Sequence, residues 1–446
     1  MRRLALLLAA AVAAAAAYGL ARLDSTAKVA AGYKAKIACS EIFVAGRDPE
    51  RVLSGEFADI SPALDRVRLR VDREKRRVRA SLYGLGRSTA IYRDSYGCTL
   101  ARGGRLAPLP ALPGIVDFPL PASDGRDVDR RALEAALDAA FADEAAATRA
   151  LLVLKDGAIV AERYAAGFSD DTPLLSWSMA KSMTADILGA AVLRGLIDLD
   201  SRAPVPEWDG DPDRSAITWN DLLRMQSGLA FSERYGDPNS DVSEMLFRAR
   251  DAGLVAAQQP LIHRPGAFWS YSSGTTNLLQ RTLRAELERQ DVDYHRFART
   301  ALFAPIGAAS FVLEPDSSGS FIGSSFAYAT ARDWAKLGWL HLNDGAARGA
   351  RLLPEGWNAY VAAPSSASDR RYGGHFWLNS PGASGRDKYI PGVPDEAYFM
   401  AGHEGQYVLI IPDKNMVIVR AGLTRRTEPM PKIAPTFAAI YAAVRE

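Results

Sequence analysis

Residues 178–181 read Ser178-Met179-Ala180-Lys181 and set a hydroxyl and an amine three residues apart at the start of an apolar stretch. Positions i and i+3 share a helix face, so the two groups can touch. A serine hydroxyl becomes a useful nucleophile only when a nearby base takes its proton. A lysine can be that base when burial or neighbouring cations lower its pKa. The following residues supply burial: Met183, Ala185, Ile187, Leu188, Ala190, Ala191, Val192 and Leu193 are apolar nearly all round. Such a run predicts a helix inside a domain rather than on its surface. The pair would then sit at the helix tip, where backbone N–H groups can receive an anion.

Ser-x-x-Lys is a loose pattern, expected about once by chance in a chain of this length. Ser25-Thr26-Ala27-Lys28 matches it too, in what reads as a surface linker. The plain alternative for Ser178 is a helix-capping serine with Lys181 in solvent. The choice depends on partners elsewhere in the chain.

With 446 residues and 48% hydrophobic content, the chain can bury a large core. Its net charge of +2 argues against a nucleic-acid binder. Arg2 and Arg3 precede an apolar, alanine-rich run at residues 4–21. This pattern predicts a signal peptide or a membrane anchor within residues 1–24, hence an exported body, periplasmic or held on the outer face of the cytoplasmic membrane. The only cysteines are Cys39 and Cys98. In an exported protein they are expected to form a disulfide.

Residues 25–126 read as a small β-rich region followed by a proline-rich linker. Val67, Leu69 and Val71 alternate with arginines, and Val78, Ala80 and Leu82 alternate again after a turn at residues 72–75. The opposite face carries Arg66, Arg68, Arg70, Arg77 and Arg79. It reads as a solvated strand face, with attraction to anionic lipid as the sharper alternative. Five prolines between residues 107 and 121 predict a stiff linker or a strap across a surface. Residues 127–446 then open with a helix capped by Asp127 or Asp129 and running to about Ala147. A hairpin follows around Asp156-Gly157. Near the end, residues 407–411 and 416–420 predict two antiparallel strands and residues 436–445 a closing helix.

Two more stretches offer partners for Ser178. In Phe268-Trp269-Ser270-Tyr271-Ser272-Ser273-Gly274, Tyr271 could relay a proton between nucleophile, lysine and leaving group. In Ala401-Gly402-His403-Glu404-Gly405-Gln406, glycines flank His403 and lead into a strand. An edge strand there could donate a backbone N–H to an oxyanion, and the bare glycines would let a substrate approach closely.

Ser-x-x-Lys, Tyr-x-Ser and His-x-Gly, in this order, together with residues 217–223, Met225-Gln226-Ser227-Gly228-Leu229 and residues 329–334, resemble the serine β-lactamase and penicillin-binding-protein family. The resemblance is greatest to its class C, D-alanyl-D-alanine carboxypeptidase and esterase branch, and within that to the 6-aminohexanoate-dimer hydrolases. It covers roughly residues 127–446. It implies an α/β (α+β) fold: a five-stranded antiparallel sheet flanked by helices, beside an all-helical subdomain. It also implies a metal-free, cofactor-free acyl-enzyme mechanism. Ser178 would be the nucleophile, Lys181 its base and Tyr271 the proton relay. Ser273, His403, Gly405 and Gln406 would face substrate, and the N–H groups of Ser178 and Gln406 would form the oxyanion hole. Class C β-lactamases carry Asn where Ser273 stands and Lys-Thr-Gly where His403-Glu404-Gly405 stands. The missing lysine argues against efficient antibiotic hydrolysis. The expected substrates are small esters or linear amides. The alternatives are a carboxypeptidase acting on peptidoglycan stems and a non-catalytic sensor or scaffold of the same fold. No protein partner is implied, and membrane attachment would run through residues 4–21.

Overall fold

The computed structural model describes residues 2–445. The chain forms two compact units, the first comprising Met1–Leu106 with Ser232–Arg250, the second Ala107–Phe231 with Asp251–Glu446.

The first unit is built on a long helix, α1 (Arg2–Phe43), and a four-stranded antiparallel sheet in the order β1 (Val67–Asp72), β2 (Arg77–Leu82), β3 (Leu85–Arg93), β4 (Gly97–Leu100). Residues 25–43 are therefore helical, not a linker or strand. Ala27, Ala31, Ala35, Ala38 and Cys39 are buried, so small side chains let the helix lie close on the sheet. The second Ser-x-x-Lys match falls within this helix: Lys28 pairs with Asp24, and Ser25 accepts a bond from Arg248. Cys39 and Cys98 form a disulfide between α1 and β4, with Cα atoms 6.0 Å apart. Among the described residues no helix is long and apolar enough to cross a membrane. Several side chains within residues 4–21, where a signal peptide or membrane anchor was expected, lie outside the described residues.

The second unit is organised by a six-stranded antiparallel sheet. Its elements are α2 (Arg130–Ala142), β5 (Thr148–Lys155), β6 (Ala158–Tyr164), α3 (Met179–Leu193), α4 (Ser273–Arg289), α5 (Ala331–Leu342), β7 (Trp377–Leu378), β8 (Tyr398–Gly402), β9 (Gln406–Ile411), β10 (Met416–Gly422) and α6 (Pro429–Ala443), joined by shorter helices and turns. The strand order is β7-β8-β9-β10-β5-β6, so the first and last strands of the unit's chain meet at the centre. Both hairpins read from the sequence are present, β5–β6 and β9–β10. Asp129 caps α2, which stops at Ala142 because Asp143 leaves the helical region and Ala147 turns left-handed (φ 47°).

One sheet face packs Leu151, Val153, Leu409, Ile411, Met416 and Ile418 against Leu133 and Leu137 of α2 and Ile433, Phe437 and Ile440 of α6. On β9 and β10 the alternate residues, Val408 and Val417, meet α5 at Gly338, where a Cβ would lie 2.7 Å from Val417. Covering both faces explains why these strands read as unbroken apolar runs rather than alternating ones.

The proline-rich segment is a strap of the second unit. Arg296 donates to Ala111 O, Lys336 pairs with Asp117 at 2.6 Å, and Ile159 N donates to Pro121 O. The division between units thus falls at Leu106 rather than near residue 126.

Candidate active site

The turn before α3 holds Ser178 in place from both sides. Leu174–Leu175 pairs with Ala327–Ala329, and the Ser176 hydroxyl donates to Trp177 O and accepts from Ala327 N. Trp177 is buried at φ 43°, a left-handed conformation costing about 1–2 kcal/mol in a bulky residue. Such strain persists where surroundings over-determine it, as at reactive sites. Ser178 occupies the N-cap position of α3, yet its side chain makes no capping bond. Instead its Oγ lies 2.9 Å from Lys181 Nζ. The helix-cap alternative fails on this geometry.

Lys181 is 1% exposed. Its Nζ also lies 2.9 Å from Ser273 Oγ and 3.1 Å from Ser324 O, and 4.8 Å from the ring centre of Tyr271. Burial disfavours the ammonium form. Tyr271 remains partly exposed and stands among aromatic rings, 5.4 Å from Trp377 and 5.8 Å from Tyr372. Helix α4 starts two residues later with Ser272 as its cap, so the tyrosine is carried on a helix entrance.

Ser273 is fully buried. It was expected to face substrate. The structure instead turns its hydroxyl onto Lys181, because the first turn of α4 lies under the amine.

His403, Glu404 and Gly405 form the turn between β8 and β9. Strand β9 lies between β8 and β10, so the expected edge strand is an interior one. The flanking glycines serve the protein itself. A Cβ on Gly402 would lie 2.2 Å from Ser176 O, and one on Gly405 (φ 89°) would lie 2.3 Å from Arg420. Gly405 and Gln406 are buried, and the Gln406 side-chain amide donates to His403 O and Gly422 O. His403 does remain open: its side chain is 47% exposed and packs edge-on against Trp177 at 5.4 Å. Desolvation lowers its pKa below the ordinary histidine value, with Glu404 opposing. Unlike a lysine, an imidazole is not a permanent cation near neutral pH.

The turn is fixed by groups that spacing rules do not reveal. Glu404 is left-handed (φ 62°), buried and ion-paired with Arg425. Arg420, 1% exposed, donates to Gly405 O and Ala146 O, and burial pushes its pKa down to about 9.

His375 was also missed. Its Nδ1 lies 2.6 Å from Leu223 O and its Nε2 2.9 Å from Thr276 Oγ1. Burial first, and the Lys181 charge second, push its pKa down to about 3. A neutral ring donating at Nδ1 and accepting at Nε2 fits both contacts. Ser324 carried no sequence signal of its own. Here its carbonyl accepts from Lys181, and its hydroxyl accepts from Asn277.

The sequence profile of the family described as Beta-lactamase matches residues 132–443. The chain belongs to the beta-lactamase family. It is 27% identical over 291 residues to the 6-aminohexanoate-dimer hydrolase of Paenarthrobacter ureafaciens, covering 62% of this chain and 73% of that protein. A Bacillus anthracis structure described as a 6-aminohexanoate-dimer hydrolase superposes with a TM-score of 0.56 at 22% identity, over 76% of this chain and 88% of that one. A family VIII carboxylesterase superposes with a TM-score of 0.53 at 16% identity, over 72% and 98%. The fold is that of β-lactamases and penicillin-binding proteins, and the relatives are hydrolases.

Proposed function

We propose that the protein is a serine hydrolase of small esters or linear amides, working through an acyl-enzyme on Ser178. The observation that carries this reading is the 2.9 Å contact between Ser178 Oγ and a lysine amine that is 1% exposed. A neutral amine has two N–H donors and one lone pair. Ser273 Oγ and Ser324 O take the two donors, which leaves the lone pair for the Ser178 O–H. As Ser178 Oγ attacks the carbonyl carbon, its proton passes to Lys181. Tyr271, against the same amine, hands a proton to the departing alkoxide or amine. The carbonyl oxygen gathers charge at the N-terminus of α3, where the Ser178 N–H and that of Gln406 form the oxyanion hole. Water attack, with the proton path reversed, releases the acid and restores Ser178.

His403 offers no fixed cation of the kind a lysine would present to a β-lactam carboxylate. The reading therefore favours uncharged acyl groups over penicillins. The Cys39–Cys98 disulfide supports an oxidising, exported setting for this chemistry. Labelling of both thiols by iodoacetamide without reductant would count against it.

The deciding experiment treats wild type and Ser178→Ala with a fluorophosphonate and a fluorescent penicillin and locates the adducts by mass spectrometry. A phosphonate adduct on Ser178 without a penicillin adduct is expected. Labelling by both would move the substrate to peptidoglycan stems. Equal labelling of the alanine variant would sink the assignment.

A further inference from the structure

We propose that the first unit docks on an anionic phospholipid surface through the outer face of β1–β3 and the tip of the β2–β3 turn. Residues 66–93 hold ten basic and two acidic side chains, a net charge of +8 within a chain whose total is only +2. Register gathers part of this charge on one face. Arg68 lies opposite Ser81, and Arg70 lies directly opposite Arg79, which neighbours Thr89 on β3. Arg68, Arg70 and Arg79 are exposed and make no hydrogen bond or ion pair among the described residues. The nearest carboxylate on that face, Asp72, is already taken by Arg77 at 2.9 Å, and Asp94 is taken by Arg76. Like charges directly across two strands oppose pairing. Basic side chains can protect a sheet edge from self-association, but Arg79 lies on β2, an interior strand.

The turn beside this face is apolar where folding does not ask for it. Tyr83 (φ 50°) and Gly84 (φ 81°) form a left-handed turn that favours Asn-Gly. Tyr83 is nevertheless 71% exposed and Leu85 52% exposed. Arg87 stands next to them and holds Gly84 O. The turn abuts α1 at Ala27, since a Cβ on Gly86 would lie 2.2 Å from the Ala27 backbone. There the packed part of α1 ends and its exposed apolar side chains begin, Leu23, Tyr18 and Val12 among them. Cationic face and apolar tip together match phosphate headgroups above acyl chains. A nucleic acid or an acidic protein would use the arginines but has no call on an exposed tyrosine–leucine tip.

The test is co-sedimentation of the full chain with vesicles of phosphatidylcholine alone or mixed equally with phosphatidylglycerol. Binding only to the mixed vesicles, weakened by salt, is expected. Each arginine contributes roughly fivefold to such binding, so the triple variant Arg68→Gln/Arg70→Gln/Arg79→Gln should bind roughly a hundredfold more weakly. Tyr83→Ser/Leu85→Ser should weaken binding even at low salt. Unchanged thermal unfolding and unchanged phosphonate labelling would show both variants to be folded. Equal binding to neutral vesicles, full binding by the arginine variant, or capture by a DNA duplex at concentrations where vesicles are ignored would each overturn the proposal.

Discussion

Ser273→Ala separates two roles for a buried hydroxyl. In the structure Ser273 is fully buried and its Oγ lies 2.9 Å from Lys181 Nζ. Removing it takes one hydrogen-bond acceptor from the amine in either protonation state. A hydrogen bond to a charged group is worth about 1.5–3 kcal/mol and one between neutral groups about 1 kcal/mol. The ammonium form therefore loses more than the amine, which tips Lys181 towards the neutral form. The amine form also loses the contact that aims its lone pair, which costs roughly fivefold to tenfold in acylation rate. The assay is stopped-flow acylation by a chromogenic ester between pH 5 and 10. The plateau of kcat/KM should fall roughly tenfold, KM should change little, and the acidic limb should move to lower pH. A raised KM with an unmoved acidic limb would refute this reasoning and return Ser273 to the substrate.

The remaining predictions concern the frame around the site. The His375 pKa is depressed in the folded state to about 3, so only the unfolded chain takes its proton between the ordinary histidine value and that point. The stability this group contributes is complete above about pH 6.5 and lost as pH falls towards 3, at about 1.4 kcal/mol per pH unit. Thermal melts should show His375→Asn less stable at pH 8 but with a shallower decline on acidification. Gly402→Ala would put a methyl 2.2 Å from Ser176 O, so phosphonate labelling of Ser178 should slow at least tenfold while the melting temperature moves little. The Cys39–Cys98 bridge closes a separation of 59 residues, for which chain entropy predicts about 4 kcal/mol. Cys39→Ser/Cys98→Ser should therefore open the first unit to limited proteolysis while the second stays intact.

The contact between Ser178 and Lys181 was legible because both sit in one helical turn, where spacing alone dictates proximity. The β5–β6 and β9–β10 hairpins were legible for the same reason: a turn between two apolar runs is local. The strap was half legible, since prolines announce stiffness but not the Arg296 and Lys336 contacts that give it a surface to cross. Helix α1 was misread beyond residue 24. Its buried face is mostly alanine, and alanine marks helix contact only once a sheet is there to receive it. The glycines around His403 were legible as necessary, but not for the right neighbour. Ser176 and Arg420 crowd them, and both come from distant segments.

The sequence by itself determined the candidates for the site: Ser178, Lys181 and Tyr271 in the order of a known family, with His403 in place of a lysine. Local geometry and residue chemistry suffice for that. Only the tertiary structure decided what each group faces. It turned Ser273 inward onto the amine, set Ser324 O beside it, and made the strand after His403 an interior one. Those outcomes depend on contacts between residues scores of positions apart, and burial, which sets the lysine's character, is a property of those contacts and not of the lysine. The arginine face shows the same division. Alternation predicted it, but only register placed Arg70 opposite Arg79, and only the fold left Tyr83 exposed beside them.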